Sequence, residues 1–420
     1  MTEQRIAVVG SGISGLTSAW LLSRSHEVHL YEASDTIGGH TNTEYIEAGG
    51  RVWPVNTGFI VYNDWTYPGF IRLMEALGVE SEVSDMSFSV QSPATGLEYN
   101  GTSLNALFAQ RRNLVNPWFL NMIREIMRFN TLTRDGLAKD LIPADRTLAS
   151  YLDEHGFSRY FRNHYIIPMG AAIWSAAESD IQQFPVRFFL QFFNNHGMLS
   201  VYDRPTWRVI TGGSASYIPK LLAPLGSNVY RSTPVTAIRR DAEGVTLHSH
   251  RGEERYDQVV IATHSDQALS LLADPTDEEN RILGALPYQD NDVVLHTDSS
   301  VLPKNRRAWA AWNYHIPQHP SEAVSVTYNM NILQNFTDAP ETFCVTLNRS
   351  HAIDPERVIK RFRYAHPGFT LAGMDAQASY ERIGAHNRTY YCGAYWFNGF
   401  HEDGVQSALR VARSLGVEWQ

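Results

Sequence analysis

A chain of 420 residues is too long for one simple core, so its length predicts two domains or one domain with two lobes. Its formal net charge is -9 and no block of like charges stands out, which argues against a nucleic-acid-binding protein. Its two cysteines, Cys344 and Cys392, have no paired spacing, which argues against a disulfide framework and against a zinc ribbon.

The first predicted unit, "RIAVVGSGISGLTSAWLLSR", has the pattern of a buried parallel strand, a glycine-rich turn and a helix. Gly10, Gly12 and Gly15 form G-x-G-x-x-G at the turn. Gly10 suits the tight turn, Gly12 lets a pyrophosphate approach the backbone, and Gly15 lets the helix pack closely on the strand. Ile13 and Ser14 then stand at the helix N-terminus, where free N–H groups and a partial positive charge favour an anion. The unit therefore predicts a dinucleotide site.

A second predicted strand, "EVHLYEA", ends at Glu32 and Ala33, about 20 residues beyond the turn. An acidic side chain at this position is expected to accept a hydrogen bond from a ribose hydroxyl, and it disfavours the 2′-phosphate of NADP. His26 and His29 frame "HEVH", but on a strand these two side chains point to opposite faces. No metal site is predicted.

Gly38 and Gly39 follow in "SDTIGGHTNT". With the acidic residue before it, this stretch resembles the E-A-x-x-x-x-G-G-R pattern of the amine oxidase and phytoene desaturase superfamily of FAD enzymes. His40 stands where those enzymes usually carry Arg, so a second pyrophosphate contact there is expected to be weaker or pH-sensitive. No second G-x-G-x-x-G occurs, which argues against a separate NAD(P)H site. The predicted cofactor is one non-covalently bound FAD, with Thr57 and Gly58 among its expected contacts.

Further along, "NVYRSTPVTAIRRDAEGVTLHSH" predicts a hairpin, and "YDQVVIATHSDQAL" predicts a buried strand that enters a helix. In the superfamily this order returns the chain to the nucleotide domain, and it would place the backbone of Val235 beside the adenine. The predicted fold class is α/β, with a Rossmann-type FAD-binding domain and a second lobe of a mixed sheet and helices. The predicted FAD-binding domain comprises residues 1–65, 205–285 and 380–420, and the predicted substrate-binding lobe comprises residues 66–204 and 286–379.

The second lobe is rich in aromatic residues at helical spacing, as in "NPWFLNMIREIMRFN" and "FPVRFFLQFFNNHGML". Any one of these rings suits an ordinary core equally well. As a set they favour a long apolar pocket that opens onto the flavin. The predicted pocket residues are Trp174, Phe189, His196, Trp396 and Phe400.

The C-terminal segment "YYCGAYWFNGFHEDGVQSALRVARSLG" predicts a strand, a turn and a helix that is capped by Asp403 and stops at Gly416. In the superfamily such a unit completes the flavin site. Its helix N-terminus points at the pyrimidine end of the ring and stabilises the negative charge of the reduced flavin. The expected cofactor contacts here are Gly393, Asp403, Gly404 and Val405.

His401 and Tyr395 are the predicted catalytic residues, because they are the polar groups expected nearest the flavin ring. A purely structural role for His401, in capping the helix or packing on FAD, is the open alternative. Cys392 lies inside the predicted strand, so a covalent flavin bond is not expected.

Several longer blocks add to these motifs, among them "VNTGFIVYNDWTYPGF", "IIPMGAAIWS", "NNHGMLSVYDRPTW" and "CGAYWFNGFHEDG". Together they closely resemble the FAD-binding oxidase-like domain fused to plant cyclopropane fatty acid synthases and its free-standing bacterial relatives. The resemblance covers nearly the whole chain. It implies a lipid or fatty-acyl substrate and a lipid methyltransferase or cyclopropane synthase as partner.

Amine oxidases of the superfamily usually hold a lysine near flavin N5, and none of the four lysines here suits that place. The leading hypothesis is therefore an FAD-dependent oxidoreductase that takes a hydride from an acyl chain, as a desaturase, a dehydrogenase or an isomerase. The alternatives are an amine or amino-acid oxidase and a non-catalytic FAD-binding partner of a lipid-modifying enzyme. No signal peptide or apolar run of about 18 residues is visible, so the expected location is the cytoplasm, with peripheral membrane contact as a further expectation.

Overall fold

The computed structural model describes residues 2–143, 145–200, 202–317 and 324–419. The strands of these residues are β1 Arg5–Val9, β2 Glu27–Tyr31, β3 Thr43–Ala48, β4 Arg51–Asn56, β5 Val61–Asn63, β6 Ser81–Val83, β7 Phe88–Ser92, β8 Leu97–Asn100, β9 Trp207–Ile210, β10 Val229–Tyr230, β11 Ala237–Arg240, β12 Val245–Ser249, β13 Gly252–Tyr256, β14 Gln258–Ile261, β15 Tyr288–His296, β16 Trp312–His315, β17 Ser325–Asn329, β18 Cys344–Leu347, β19 Val358–Pro367 and β20 Thr389–Tyr391.

The α-helical segments of the same residues are α1 Ile13–Leu22, α2 Pro68–Ala76, α3 Leu104–Leu107, α4 Pro117–Ala138, α5 Leu148–Glu154, α6 Arg159–Phe161, α7 Ile167–Trp174, α8 Glu178–Gln183, α9 Val186–Asn195, α10 Ile218–Leu222, α11 Ser265–Leu271, α12 Asp277–Leu283, α13 Met330–Leu333, α14 Leu371–Ala378 and α15 His401–Ser414.

A parallel sheet with strand order β10-β2-β1-β14-β20 organises the nucleotide-binding part of the fold. β1 pairs in parallel with β2 on one side and with β14 on the other. The winding direction changes between β1 and β14, and doubly wound sheets bind ligands at the carboxyl ends of the strands beside such a point. The strands come from the start, middle and end of the chain, and the α/β fold class is confirmed. The exact domain boundaries stay a prediction.

The two faces of this sheet are covered by different elements. One face packs against α1, α10 and α15, whose apolar side chains join those of Ile6, Val8 and Val260 in one cluster. The other face, with Val9 and Val259, packs against the antiparallel sheet β11-β12-β13. β11 and β12 are the predicted hairpin, and β14 leading into α11 is the predicted strand and helix.

The second lobe is built on a seven-stranded sheet of order β19-β15-β18-β17-β16-β7-β8. Its apolar side chains share one large buried cluster with the helices α4, α5, α7 and α9. In the described part of the chain, no helix combines the length and apolar character needed to cross a bilayer.

The C-terminal unit differs from its prediction in two details. β20 ends at Tyr391, and a 3-10 turn at Ala394–Trp396 replaces the end of the predicted strand. α15 begins at His401 rather than after a cap at Asp403, because Phe400 already holds the N-cap position. Asp403 still serves the helix start, since its carboxylate accepts a hydrogen bond of 2.8 Å from the backbone N–H of Phe400. Gly416 follows the helix with a φ of 78°, the left-handed conformation that glycine commonly adopts just after a helix ends.

A buried ion pair joins the hairpin to the C-terminal strand. Arg240, at the end of β11, donates to both carboxylate oxygens of Glu279 in α12, at 2.5 and 3.0 Å. The hydroxyl of Tyr391, at the end of β20, donates to the same carboxylate at 2.5 Å. Both charged side chains are 2% exposed, and the other counter-charge of Arg240 is the partly exposed carboxylate of Asp274 at 3.1 Å, so removing Glu279 takes away the buried counter-charge.

We predict that Glu279→Ala lowers the free energy of unfolding by about 3 kcal/mol, because it removes the buried counter-charge of Arg240 and leaves only the partly exposed Asp274 to pair with it. Glu278→Ala on the same helix is the matched control. Glu278 pairs with Arg281 at the surface, where such a pair contributes about 1 kcal/mol or less. Chemical denaturation of both variants measures the difference, and equal losses would contradict this role of the buried pair.

Candidate functional site

Two of the three turn glycines are required by the protein's own packing. Gly10 has a φ of 103°, and a Cβ there would lie 2.8 Å from the carbonyl oxygen of Ala262, the residue that follows β14. A Cβ on Gly15 would lie 1.9 Å from the carbonyl oxygen of Gly10. The turn and the start of α1 are therefore locked against the carboxyl ends of β1 and β14.

Gly12 differs from both of its neighbours in the motif. A Cβ at Gly12 would meet nothing within 4 Å, and its φ of -65° suits any residue. Neither packing nor backbone conformation requires glycine at this position. The open space lies in front of the N-terminus of α1, where Ile13 and Ser14 begin the helix, and a pyrophosphate needs this space to reach the N–H groups.

Glu32 lies beside this turn and ties it to the next strand. Its Oε2 accepts hydrogen bonds from the N–H of Ser11 at 2.9 Å and from the hydroxyl of Ser11 at 2.6 Å, while Oε1 accepts from the N–H of Ser34 at 2.8 Å. A carboxylate offers about four lone-pair sites, so capacity remains for a ribose hydroxyl. Ala33 follows as an exposed residue on the loop.

Val235 is brought to the same end of the sheet. The loop that precedes it is fastened to the end of β2, since the N–H of Thr233 donates to the carbonyl oxygen of Glu32 at 2.8 Å. Val235 itself is buried in the cluster on the hairpin face. The loop thus brings Val235 to the end of β2 that carries Glu32, and its contact with the adenine stays a prediction.

His40 faces a group of rings that the sequence reasoning missed. Its ring centroid lies 5.0 Å from Tyr364, 5.2 Å from His366 and 6.4 Å from His264. Its Nε2 is buried and has no hydrogen-bond partner among the described residues. Burial, then the nearby His366, His264 and His401 rings, lower the pKa of His40 well below 6.5. At pH 7 the apoprotein thus presents a neutral, unsatisfied donor or acceptor there.

The predicted residues near His40 form the walls of this region. Gly38 and Gly39 both have positive φ, and a Cβ on Gly39 would come within 3.1 Å of the Cα of Gly12. A Cβ on Gly58 would lie 2.2 Å from the carbonyl oxygen of His40, so these two segments touch. The hydroxyl of Thr57 is hydrogen-bonded to the hydroxyl of Tyr364 at 2.9 Å. Through Tyr364, on β19, the seven-stranded sheet reaches the nucleotide site.

Gly404 brings the N-terminus of α15 against that of α1. A Cβ there would lie 2.6 Å from Cγ2 of Ile13 and 2.9 Å from Oγ of Ser14. The sequence reasoning assigned this glycine to close approach of the flavin ring, whereas the atoms that fill the space belong to α1. Val405 beside it is fully buried. Both helices thus direct their N–H groups to one region.

His401 is held by polar and aromatic neighbours. Its Nε2 lies 3.0 Å from the hydroxyl of Thr41 and 3.3 Å from that of Tyr217. Its ring stacks on Phe59 at 3.5 Å between centroids, with 11° between planes. Burial lowers the pKa of His401 to about 3, so the ring is neutral at pH 7 and a weak base. This geometry favours the structural role over proton transfer.

Tyr395, the second predicted catalytic residue, lies behind the site. A Cβ on Gly393 would lie 2.3 Å from its ring, which explains that glycine. Its ring packs at 6.3 Å from Tyr288, and Tyr288 stacks on His264 at 4.2 Å. Its hydroxyl is buried with no hydrogen-bond partner among the described residues, and burial raises its pKa well above 10. Tyr395 can donate a hydrogen bond but cannot act as a base near neutral pH.

A cavity of about 500 Å³ opens beside the start of α15. Its walls come from the start of α2, the end of α9 and the loop before α15, and they comprise Trp65, Thr66, Tyr67, Pro68, Phe192, Asn195, His196, Asn398, Phe400, Glu402, Asp403 and Gln406.

Only two of the five predicted pocket residues line this cavity, His196 and Phe400. Trp174 does not line the cavity but packs behind the wall residue Phe192, with 4.7 Å between the two ring centroids. Phe189 is fully buried and does not line it. Trp396 packs instead on Tyr380 at 4.8 Å, on the hairpin side of the parallel sheet. Helical spacing groups these rings on one side of a helix, but it cannot tell a cavity wall from the layer behind it.

Two acidic residues on the cavity wall are in contrasting environments. Glu402 accepts hydrogen bonds from the N–H groups of Gly69 and Phe70, at 3.0 and 2.8 Å, and so caps the start of α2. Burial raises the pKa of Asp403 to about 7, although the hydrogen bond from Phe400 opposes the shift. Asp403 therefore changes its charge near neutral pH.

These features fit a flavin dinucleotide. Gly12 leaves space at a helix N-terminus, Glu32 keeps acceptor capacity, and His40 holds a buried nitrogen without a partner. Cys392 is fully buried with its Sγ 3.6 Å from the hydroxyl of Ser18, and burial raises its pKa to about 12, which disfavours a thioether. Within the described residues, no group of three or more metal-ligating side chains occurs.

A family model described as flavin containing amine oxidoreductase matches residues 13–415. The chain belongs to this family. The family is one of flavin-containing oxidoreductases, and FAD, bound without a covalent link, is the cofactor. The residues that would hold FAD are the glycine turn, Glu32, the His40 region and the start of α15.

The sequence relatives include proteins named as amino-acid dehydrogenases and amino-acid oxidases. An L-amino acid dehydrogenase of Synechocystis sp. is 24% identical over 277 residues, which cover 61% of this chain and 55% of the relative. The chain thus spans only about half the length of that relative. Two solved structures share the fold: a CLA-producing fatty acid isomerase from P. acnes (TM-score 0.72, 15% identity, 99% of each chain) and cyclohexylamine oxidase from Brevibacterium oxydans IH-35A (TM-score 0.69, 17% identity, 99% and 100% of the two chains).

We predict that alanine substitutions at Gly15 and Gly12 of the glycine-rich turn have different effects: the first lowers apoprotein stability and the second weakens FAD binding. Gly15→Ala places a methyl group 1.9 Å from a backbone oxygen, so it should unfold the turn and lower the melting temperature of the apoprotein. Gly12→Ala should change apoprotein stability by about 1 kcal/mol or less, yet weaken FAD binding about tenfold or more, because its methyl group occupies the pyrophosphate space. Thermal melting and FAD titration of both apoproteins measure this, and unchanged FAD binding in Gly12→Ala would contradict the assignment.

We also predict that FAD binding tightens as the pH falls from 8 to 6, because the pyrophosphate favours the protonated form of His40. His40→Arg supplies a permanent cation, so it should bind FAD more tightly at pH 8 and lose that pH dependence. FAD titrations at both pH values measure the effect, with His264→Gln as the control. If the pH dependence of FAD affinity persists in His40→Arg and vanishes in His264→Gln, the role assigned to His40 is contradicted.

Proposed function

We propose that this protein is an FAD-dependent oxidoreductase of lipid acyl chains, of the fatty-acyl desaturase or dehydrogenase type. The observation that carries the proposal is a pair of adjoining cavities beside the site, of which the first has a mixed polar and aromatic wall and the second a mostly apolar one. The 500 Å³ cavity and a second cavity of about 250 Å³ share Phe192, Asn195 and Asn398, and the second adds Phe188 and Met374. An extended acyl chain would lie in the second cavity, and its polar end would face the polar side chains of the first.

Stacked rings extend this wall into the second lobe. Phe192 stacks on Phe400 at 5.0 Å, and Phe188 stacks on Phe369 at 4.9 Å. Aromatic rings held by one another offer a rigid apolar wall at a low entropic cost. A methylene chain gains most from such a surface, since it has no polar groups that need partners.

The lysines support the same proposal. Lys220 donates to the carbonyl oxygens of Leu77 and Gly78, and Lys360 pairs with Glu44 at 2.7 Å. Lys139 and Lys304 are exposed. No lysine of this chain is therefore in the position expected for the lysine of amine oxidation.

The chemistry divides between cofactor and protein. FAD, which the glycine turn, Glu32, the His40 region and the start of α15 would hold, would supply a hydride acceptor that an external oxidant such as oxygen regenerates. Forming a C=C bond breaks two C–H bonds, so one proton must leave by way of a base. Asp403 lies on the cavity wall with a pKa of about 7 and is the proposed acceptor of that proton. Return of the hydrogen to another carbon would make the reaction an isomerisation.

Two resemblances support a lipid substrate and a lipid-modifying partner. A protein of the same fold is described as a fatty acid isomerase. The sequence blocks that resemble the oxidase-like domain of plant cyclopropane fatty acid synthases favour a cyclopropane synthase or lipid methyltransferase as partner, and a cytoplasmic location beside the membrane. These partners and this location are part of the proposal.

An amine or amino-acid substrate is the second candidate. The cavity wall carries the carboxyl groups of Glu402 and Asp403, which would attract an ammonium group. The family description and the L-amino acid dehydrogenase relative favour this candidate too.

Anaerobic titration of the purified flavoprotein separates these functions. Bleaching of the visible flavin band by a monounsaturated or methyl-branched acyl lipid supports the proposed dehydrogenase, and an unbleached flavin with a rearranged product supports the isomerase. Bleaching by amines or amino acids alone overturns the proposal. A flavin that no compound bleaches or converts would make the protein a non-catalytic FAD-binding partner.

We predict that Asp403→Asn slows flavin bleaching by acyl lipids about 100-fold. The wild-type rate should rise with pH through about 7, because the carboxylate accepts a proton only when ionised, and the variant should lose this inflection. Rapid-mixing absorbance across the pH range measures it, with FAD content as the control for folding. A variant that keeps the inflection would show that another group takes the proton.

A further inference from the structure

A surface formed by residues 104–118 and 304–307 combines exposed apolar side chains with positive charge. We name it the basic apolar surface. Leu104 is 77% exposed, Val115 is 83% exposed and Trp118 is 67% exposed. Trp118 belongs to an apolar stripe that helical spacing predicts to be buried together with Met122 and Phe129, and only the latter two are buried. Large exposed apolar side chains grouped in one place mark an interaction site.

The charge of this surface is opposite to that of the protein as a whole. From residue 99 to residue 124 the chain holds three arginines and no acidic residue, although its net charge is -9. Arg111 and Arg112 donate to backbone carbonyl oxygens. Within the described residues, neither forms an ion pair with a carboxylate. Their positive charge therefore stays available to a partner.

The second segment adds to the same charge. The side chain of Asn305 donates to the carbonyl oxygen of Ala109 at 2.8 Å, which holds residues 304–307 against the first segment. Lys304, Arg306 and Arg307 are exposed. The carboxylate of Glu98 lies at the base of this loop, where the backbone N–H groups of residues 304 and 305 each donate to it at 2.9 Å.

The exposed side chains stand on a well-anchored backbone. A 3-10 helix, Arg111–Val115, leads into α4, and the Asn116 side chain caps α4 by accepting hydrogen bonds from the N–H groups of its first turn. Beneath them the ring of Phe119 is fully buried and packs on Phe108 at 5.8 Å. The apolar tips thus project from a fixed turn and cannot fold back into the core.

We propose that the basic apolar surface docks onto an anionic lipid bilayer. Trp118, Leu114 and Val115 would enter the headgroup region, where amphipathic aromatic side chains are favoured. The surrounding cations would bind lipid phosphates and carboxylates, each adding to the attraction within a Debye length. A second copy of this chain fits less well, because a symmetric contact would bring the same arginines face to face. This docking does not depend on the identity of the substrate.

Co-sedimentation of the holoprotein with vesicles tests the docking. Wild-type protein should bind phosphatidylglycerol-containing vesicles at least tenfold more tightly than pure phosphatidylcholine vesicles, and 0.5 M salt should weaken the binding. Equal binding to both vesicles, or no binding to either, overturns the proposal. Binding that needs an acyl substrate lipid in the bilayer also overturns it.

Two variants locate the bilayer contact. Trp118→Glu should reduce vesicle binding about tenfold or more while FAD content and melting temperature stay unchanged. Leu141→Glu is the matched control, because Leu141 is 68% exposed and lies beyond the far end of the 22-residue helix α4, about 30 Å away. Equal loss in both variants would overturn the location. A wild-type dimer in light scattering that Trp118→Glu dissociates, without vesicle binding, would assign the surface to a second copy instead.

Discussion

The N-termini of α1 and α15 meet at the carboxyl edge of the parallel sheet, and this meeting requires that no side chain stand between them. Gly404 provides that gap, because any Cβ there would run into Ile13 and Ser14. Gly15 does the same between α1 and the turn at Gly10. Two sets of free N–H groups and two partial positive charges consequently face one region. An anionic dinucleotide is the ligand that such an arrangement stabilises.

The second lobe completes this region from the opposite side. Tyr364 and His366 come from β19 of the seven-stranded sheet, and their rings lie beside that of His40. The hydroxyl of Tyr364 is also hydrogen-bonded to that of Thr57. The lobes therefore share the nucleotide site. The imidazoles there are neutral in the apoprotein because burial lowers their pKa values, that of His366 to about 4. A polyanionic cofactor would favour the protonated form of His40 over the neutral one, so FAD affinity should rise as the pH falls.

Aromatic rings packed on one another connect the walls of the two cavities, whereas hydrogen bonds hold the residues of the nucleotide site in place. Phe192 joins the two cavities and links Trp174 in the layer behind to Phe400 at the start of α15. Asp403 is the ionisable group of this wall whose charge changes near neutral pH. The proposed hydrogen abstraction from carbon would use this acid together with the aromatic rings beside it. A lipid substrate and a bilayer-docking surface are compatible features of one protein, although each rests on its own observations.

For the nucleotide-binding part, the strand–turn–helix pattern and the FAD cofactor were predictable from the sequence, whereas the individual residue contacts to FAD stay predictions. The turn glycines, Glu32 and the strand–helix order are local in the chain, and their chemistry needs only backbone geometry and one acidic side chain. The His40 prediction also depended on a local motif. Its partners His264 and His366 were missed, although His264 follows β14 directly at the ligand-binding edge of the sheet and could have been found from that position.

Which residues line the cavity was harder to predict, because it depends on packing between elements that are distant in the chain. Helical spacing grouped the aromatic residues, but Phe189 is core, Trp396 packs on the hairpin side and Trp118 is exposed. Nor could spacing show that burial makes His401 a weak base and Asp403 a titrating acid. The sequence by itself determined the fold class, the family and the cofactor, because these follow from short motifs with local geometry. Only the tertiary structure decided which side chains line the cavity and which face solvent, because these depend on contacts between segments far apart in the chain.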